Sequence, residues 1–205
     1  MVSAPVRDAK RKLPAERHGE LLDRAVEIIA AEGLSAVTLR KVAADLGVTP
    51  GLVSHYFSSA EQLIIAAFRE AATADLAEAQ ARVGAVGAPS EKLDVLLDYV
   101  LDECSVDASA LWLDAWSLGR RNAALAEEAN ALTGEWLAFI ADIVRAGQAA
   151  GEFRRGDADV SARRVLTMID GLGAQQVVRA VHPDELKHIA HAYVASELGR
   201  PRRAQ

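Results

Sequence analysis

Residues 38–57, Thr-Leu-Arg-Lys-Val-Ala-Ala-Asp-Leu-Gly-Val-Thr-Pro-Gly-Leu-Val-Ser-His-Tyr-Phe, constrain the fold more than any other stretch of the chain. Two short helical patterns, 39–46 and 50–56, are hinged at Gly47. Thr38 is placed to cap the first helix and Thr49 the second. Pro50 takes the first helical position, where no amide hydrogen is needed. Ala43 falls where the two helices cross, so a small side chain lets the backbones approach. Gly47 comes four residues later, at a turn that favours left-handed backbone. Val53 anchors the second helix, and Val42, Leu46 and Val48 fill the wedge between the two. An ordinary helical hairpin does not ask for cap, small residue, turn glycine and anchor together. Their agreement points to a helix-turn-helix, whose second helix fits the major groove of DNA.

The rest of the chain reads as helix. It has 205 residues, enough for one or two helical domains with a sizeable core. About half are apolar (51%), and the β-branched residues fall inside helical patterns, so the expected class is all-α. Cys104 is the sole cysteine, which excludes an internal disulfide and suits a reducing compartment. No apolar run follows the basic start and no apolar stretch reaches about 18 residues, so neither a signal peptide nor a membrane span is expected. The expected location is the cytoplasm. The net charge of −6 argues against nucleic acid at first sight. Its distribution answers the objection: residues 1–57 carry a net +1 and residues 58–205 a net −7. Local charge steers binding more than the total does.

Four parts are expected: a basic flexible arm over 1–14, a helix-turn-helix domain over 15–60, a helical ligand-binding and dimerisation domain over 61–200, and a basic tail over 201–205. Arg7, Lys10, Arg11 and Lys12 make the arm; Arg200, Arg202 and Arg203 surround Pro201 in the tail. A supporting helix over 15–32 carries the stripe Leu21, Leu22, Ala25, Val26, Ile28, Ile29 and stops at Gly33. Ser59 and Gln62 form a capping box for a long helix that runs to about residue 83 and joins the two domains. Ser90 is expected to cap the next helix, with Leu93, Leu97, Val100, Leu101 and Cys104 in register. Further helices open at Asp107, at 123 and at Asp157, and a last one follows His182-Pro183.

The signature Gly33, Thr38, Val42-Ala43, Leu46-Gly47-Val48, Val53, Tyr56-Phe57 and Leu63 resembles the tetracycline-repressor (TetR) family of transcription regulators, as does the nine-helix layout. Ser54-His55-Tyr56-Phe57, Trp112 with Trp116, and Gly151-Glu152-Phe153 are similar to its choline-sensing, BetI-type branch. The resemblance implies a ligand-responsive, sequence-specific DNA-binding repressor, released from a palindromic operator by a small molecule. It implies no cofactor and no catalysis. An effector-independent architectural DNA-binding protein is the alternative, and an enzyme is a remoter one. No glycine-rich phosphate loop or serine elbow is present, and Cys104 on an apolar stripe suits an inert buried thiol.

The expected DNA-contacting residues are Thr38, Arg40, Lys41, Thr49, Pro50, Gly51, Ser54, His55, Tyr56 and Ser59. Arg40 is placed for a guanine edge or a phosphate, and Ser54 and His55 for base edges. Pro50 and Gly51 suit a thymine methyl or close backbone approach, and Lys41 suits a phosphate. The resemblance implies a phosphate bond from the Tyr56 hydroxyl; the plain alternative is a core ring. The family usually has a lysine where this chain has Ala60. Ser58, Ser59 and the helix N-terminus are a neutral substitute, so the salt dependence of binding is expected to be shallow. Each lost ionic contact removes about 0.9 from the log–log slope.

One such unit touches too few base pairs for specificity, so a symmetric dimer on palindromic double-stranded DNA is expected. The last two long helices are its expected interface, through Leu166, Ile169, Gly173, Val177, Ile189 and Tyr193, with Gly171 and Leu172 beside them. The family resemblance also implies a pocket for an unidentified small-molecule effector. The candidate wall is Leu97, Leu101, Cys104, Trp112, Trp116, Trp136, Phe139 and Ile143. The three tryptophans read first as core rings with satisfied indole donors. The sharper reading is a cage for a quaternary ammonium ion, closed by Asp114 or Glu135. Asp184, His188 and His191 share a helix face, but a solvated or interface face accounts for them better than metal does, and no metal is expected. His18 is expected on the surface.

Overall fold

In a computed structural model, which describes residues 13–179 and 181–199, nine α-helices and two short 3-10 turns make up the fold, with no strand among the described residues. Of the arm expected over 1–14, residues 1–12 lie outside the described residues, as does the tail expected over 201–205, while Pro14 already belongs to the first helix. Helix α1 spans Pro14–Glu32 and is followed by a 3-10 turn, Leu34–Ala36. Helices α2 (Leu39–Asp45) and α3 (Pro50–Tyr56) come next, then the long α4, Ala60–Gly84. The remaining helices are α5 (Pro89–Val100), α6 (Val106–Gly119), α7 (Ala123–Ala149), α8 (Ala158–Arg179) and α9 (Pro183–Leu198). None is long and apolar enough to cross a membrane.

The local rules of the motif hold in detail. Thr38 Oγ1 accepts a hydrogen bond from the Lys41 N–H (3.0 Å), and Thr49 Oγ1 accepts one from the Leu52 N–H (3.3 Å). After α2 the Val48 N–H reaches back to the Ala43 carbonyl (2.9 Å) and the Gly47 N–H to Ala44 (3.2 Å). This paired closure needs a left-handed residue between them, and Gly47 supplies φ +64°. Val42, Ala43, Val53 and Phe57 are buried.

Two apolar cores share the long helices. The N-terminal core joins Leu21, Ile28, Leu34, Val53, Phe57, Leu63 and Phe68 to Leu111 and Ala115 of α6 and Leu125, Ala129 and Leu132 of α7. The second core takes Leu76, Ala79 and Val83 from α4 with Leu93, Leu97, Trp136, Ile140, Val165 and Leu186. The division therefore falls inside α4, between Ala72 and Leu76. A helix of 25 residues that feeds both cores makes one rigid connection.

Several local expectations need correction. Ser59 Oγ caps Gln62 N (3.0 Å), but the Gln62 side chain reaches past Ser59 to the Ser58 N–H (2.7 Å). Helix α5 begins at Pro89, so Ser90 lies inside it and its N–H donates to Glu152 Oε2 (2.8 Å). Helix α5 also ends at Val100, and the chain then turns through a second 3-10 segment, Glu103–Ser105. That turn takes Cys104 off the apolar stripe and leaves it exposed.

Candidate DNA-reading face and effector cavity

The exposed side of α2 and α3 carries most of the expected DNA contacts, and their side chains are unequally free. Arg40, Thr49, Pro50, Gly51, Ser54 and His55 are exposed. Arg40 is engaged in no ion pair among the described residues. Lys41 Nζ is held by Glu32 Oε1 at 2.6 Å, so a phosphate would have to displace that carboxylate. Ser54 Oγ donates to the Pro50 carbonyl (2.8 Å), which leaves its lone pairs as acceptors. Ser59 spends its oxygen on the α4 cap. Tyr56 is half-buried, not a core ring, and lies edge-on to His55 at 5.3 Å. Its neighbour Phe57 turns inward, where the His18 ring covers it at 4.8 Å.

Arg24 of α1 braces this face from behind, donating to Asp45 Oδ2 from Nε (2.9 Å) and Nη2 (2.6 Å). Sequence reading missed that brace.

The second core is hollow. A pocket opens to solvent between α4, α6, α7 and α8. Trp112 and Trp116 of α6 and Trp136 of α7 all line it, together with Val100, Ala108, Leu113, Leu166, Ile169 and Ala174. The Trp112 and Trp116 rings are 5.9 Å apart and tilted by 40°. Polar atoms come from Ser105, Ser109, Thr133, Asp75 and Asp170, and no basic side chain among the described residues lines the cavity. Trp136 is a buried core ring and Trp112 packs against both cores, whereas Trp116 is 38% exposed.

The two carboxylates differ. Asp75 accepts a hydrogen bond from the Tyr99 hydroxyl (2.7 Å), and burial raises its pKa while that bond opposes the rise. The Tyr99 ring carries the Arg82 guanidinium over its face at 4.8 Å. Asp170 has no such partner among the described residues, and burial alone pushes it up to about 6. An unpaired carboxylate beside indole faces attracts a cation by charge and by ring quadrupole together.

Of the wall expected from sequence, only the tryptophans line this cavity. Leu97, Leu101 and Ile143 are packed in the surrounding core and Phe139 lies against it, while Cys104 is out on the turn. Asp114 faces the other way and accepts from the Leu34 N–H (2.8 Å). Glu135 is exposed. Of the expected interface, Leu166, Ile169 and Gly173 point into the protomer and line the cavity. A Cβ on Gly173 would meet Ser109 Oγ at 2.7 Å, so that glycine serves the approach of α8 to α6. Val177 is half-buried, whereas Val178, Ile189 and Tyr193 are exposed. His191 sits between Asp94 (Nδ1–Oδ1 3.2 Å) and Asp98 (Nε2–Oδ1 2.8 Å), which raise its pKa, the bond to Asp94 first. It therefore bridges α9 to α5 and does not converge with Asp184 and His188. No group of metal-ligating side chains occurs among the described residues.

Comparison with known proteins agrees with both halves of this geometry. Residues 21–67 match the bacterial regulatory proteins of the tetR family, and residues 89–199 match the C-terminal domain of BetI-type transcriptional repressors. The HTH-type transcriptional regulator BetI of Rhizobium meliloti is 31% identical over 169 residues, covering 80% of this chain and 79% of that protein. BetI 1 of Chromohalobacter salexigens is 28% identical over 194 residues, covering 90% and 91%. The crystal structure of a transcriptional regulator from Saccharomonospora viridis in complex with choline superposes with a TM-score of 0.80, at 25% identity over 90% of this chain and 98% of that one. With a helix-turn-helix at one end and a BetI-type helical domain over more than half its length, the chain belongs to the TetR family of DNA-binding transcriptional regulators, in its BetI-type branch.

Proposed function

We propose that the chain is a homodimeric repressor that reads a palindromic operator with α3 in the major groove and is released by a small quaternary ammonium cation. The observation that carries this reading is the cavity wall: three indoles, two carboxylates and no basic side chain among the described residues. A trimethylammonium group offers no hydrogen-bond donor, so it is recognised by ring faces and by opposite charge. Asp170, which burial alone perturbs, is the counter-ion, and Asp75 with its Tyr99 bond is the second anion. The choline bound by the Saccharomonospora viridis regulator supports the ligand class.

On the DNA side Arg40, Ser54, His55 and Tyr56 read bases and phosphates, with Lys41, Thr38, Thr49, Pro50, Gly51 and Ser59 shaping the contact. Recognition helices of the dimer lie about 34–36 Å apart or a multiple of it. The exposed Val178, Ile189 and Tyr193 support pairing through α8 and α9. Titrating choline while following tryptophan fluorescence tests the cavity. A saturable change is expected, and none at millimolar choline would sink the cation reading. A duplex enriched from a random pool by the protein then tests release, and sedimentation tests the dimer.

A further inference from the structure

We infer that Asp114 couples occupation of the cavity to the DNA-reading helices by gripping the turn that precedes α2. The inference rests on the reading of the cavity as an effector site. Helix α6 does two jobs on different faces. Trp112, Leu113 and Trp116 face the cavity. Asp114, some 200° around the helix from either indole at about 100° per residue, accepts a 2.8 Å hydrogen bond from the Leu34 N–H. The bond joins positions 80 residues apart, and a carboxylate acceptor makes it stronger than a neutral one.

The turn is shaped for this grip. Gly33 has φ +86°, and a Cβ there would stand 2.8 Å from Asp114 Oδ2, so only glycine brings the backbone this close. Leu34 and Val37 are buried in the N-terminal core, and Thr38 caps α2 directly after them. On its other side α6 meets the same core, because the Trp112 ring lies edge-on to Phe68 at 5.4 Å. A cation that spreads Trp112 and Trp116 displaces α6. Packed elements shift between discrete arrangements and do not bend continuously. Asp114 carries the shift into residues 34–36 and so into the motif, four residues from its cap.

The test uses the full chain, choline, and a duplex enriched from a random pool by the unaltered protein. Choline should weaken duplex affinity roughly 5–150-fold, the ordinary range of allosteric coupling, in the unaltered protein and in Asp114→Asn, which keeps a carbonyl acceptor. In Asp114→Leu choline should still change tryptophan fluorescence at the same concentrations, but shift duplex affinity less than about 2-fold. Release from Asp114→Leu equal to that of the unaltered protein overturns the inference. If choline binds neither protein, the reading of the cavity has failed, and Ala174→Phe, which fills the cavity from α8, takes its place. That variant must weaken duplex binding when residue 114 is Asp and not when it is Leu; equal weakening in both, or none in either, overturns the coupling. Should Asp114→Leu not fold, hydrogen exchange at the Leu34 amide decides. Altered protection on adding choline or on filling the cavity supports the inference, and unchanged protection overturns it.

Discussion

The two cores share α4 and α7 and differ in how they are filled. Around Phe57, Leu63 and Phe68 the N-terminal core is closed, with side chains at or near zero exposure. Around Trp112, Trp116 and Trp136 the second core keeps open space and two carboxylates at its wall. A unit that must present one fixed shape to a duplex gains from close packing. A unit that must respond to a ligand keeps a void and a charge, both of which reduce its own stability until the ligand comes.

The contrast can be broken most directly at Phe68. Phe68→Ala should cost about 3–5 kcal/mol in denaturant unfolding, as for other fully buried rings; a loss below about 1 kcal/mol would mean that the N-terminal core is not closed. Asp170→Asn should act in the opposite sense. Burial holds Asp170 at about 6, above the ~3.9 of an unfolded aspartate. The fold therefore binds a proton that the unfolded chain has released, and stability falls as pH rises from about 4 to 6. Above that window the ionised group costs about 2–3 kcal/mol, because each tenfold weakening of an acid is worth ~1.36 kcal/mol. The asparagine variant should accordingly melt higher than the unaltered protein at pH 7.5 and about equally at pH 4. It should also bind choline at least about 10-fold more weakly, while the unaltered protein loses choline affinity as pH drops below about 6.

Trp116→Ala sharpens the same comparison. A ring that is 38% exposed adds little to stability, but its loss should weaken choline binding by about 0.5–2 kcal/mol in a titration. The smallest effect belongs to His191. Its pKa is raised by Asp94 and then Asp98, so its contribution is complete below about pH 6.5 and fades as pH rises through the higher folded value. The stability gap between His191→Gln and the unaltered protein should therefore be widest in mild acid and close at alkaline pH.

What the sequence made legible is what neighbours in the chain decide. Thr38, Gly47, Thr49, Pro50 and Val53 act within a few residues of themselves, and their roles read off directly. Cys104 was misread because helical periodicity was carried past Val100, where α5 ends. The cavity was half legible. Its tryptophans stood out by rarity, but Asp75 and Asp170 did not, although each interrupts an apolar stripe, Ala72–Leu76–Ala79 in one case and Leu166–Ile169–Gly173 in the other. A charge in such register is the available signal. That the two stripes line one pocket depends on how α4 and α8 each pack against α6 and α7, which spacing does not encode. The same holds for Asp114, whose partner lies 80 residues away.

The Glu32 carboxylate on Lys41 has a consequence for how salt is felt. A lysine that trades an internal anion for a DNA phosphate sets that anion loose, and the freed Glu32 gathers a cation from solution while the duplex sheds one. The two exchanges would oppose each other, so such a contact would carry scarcely any ionic signature. Glutamine at position 32 would remove the internal rival and make the same contact both stronger and more readily undone by added electrolyte.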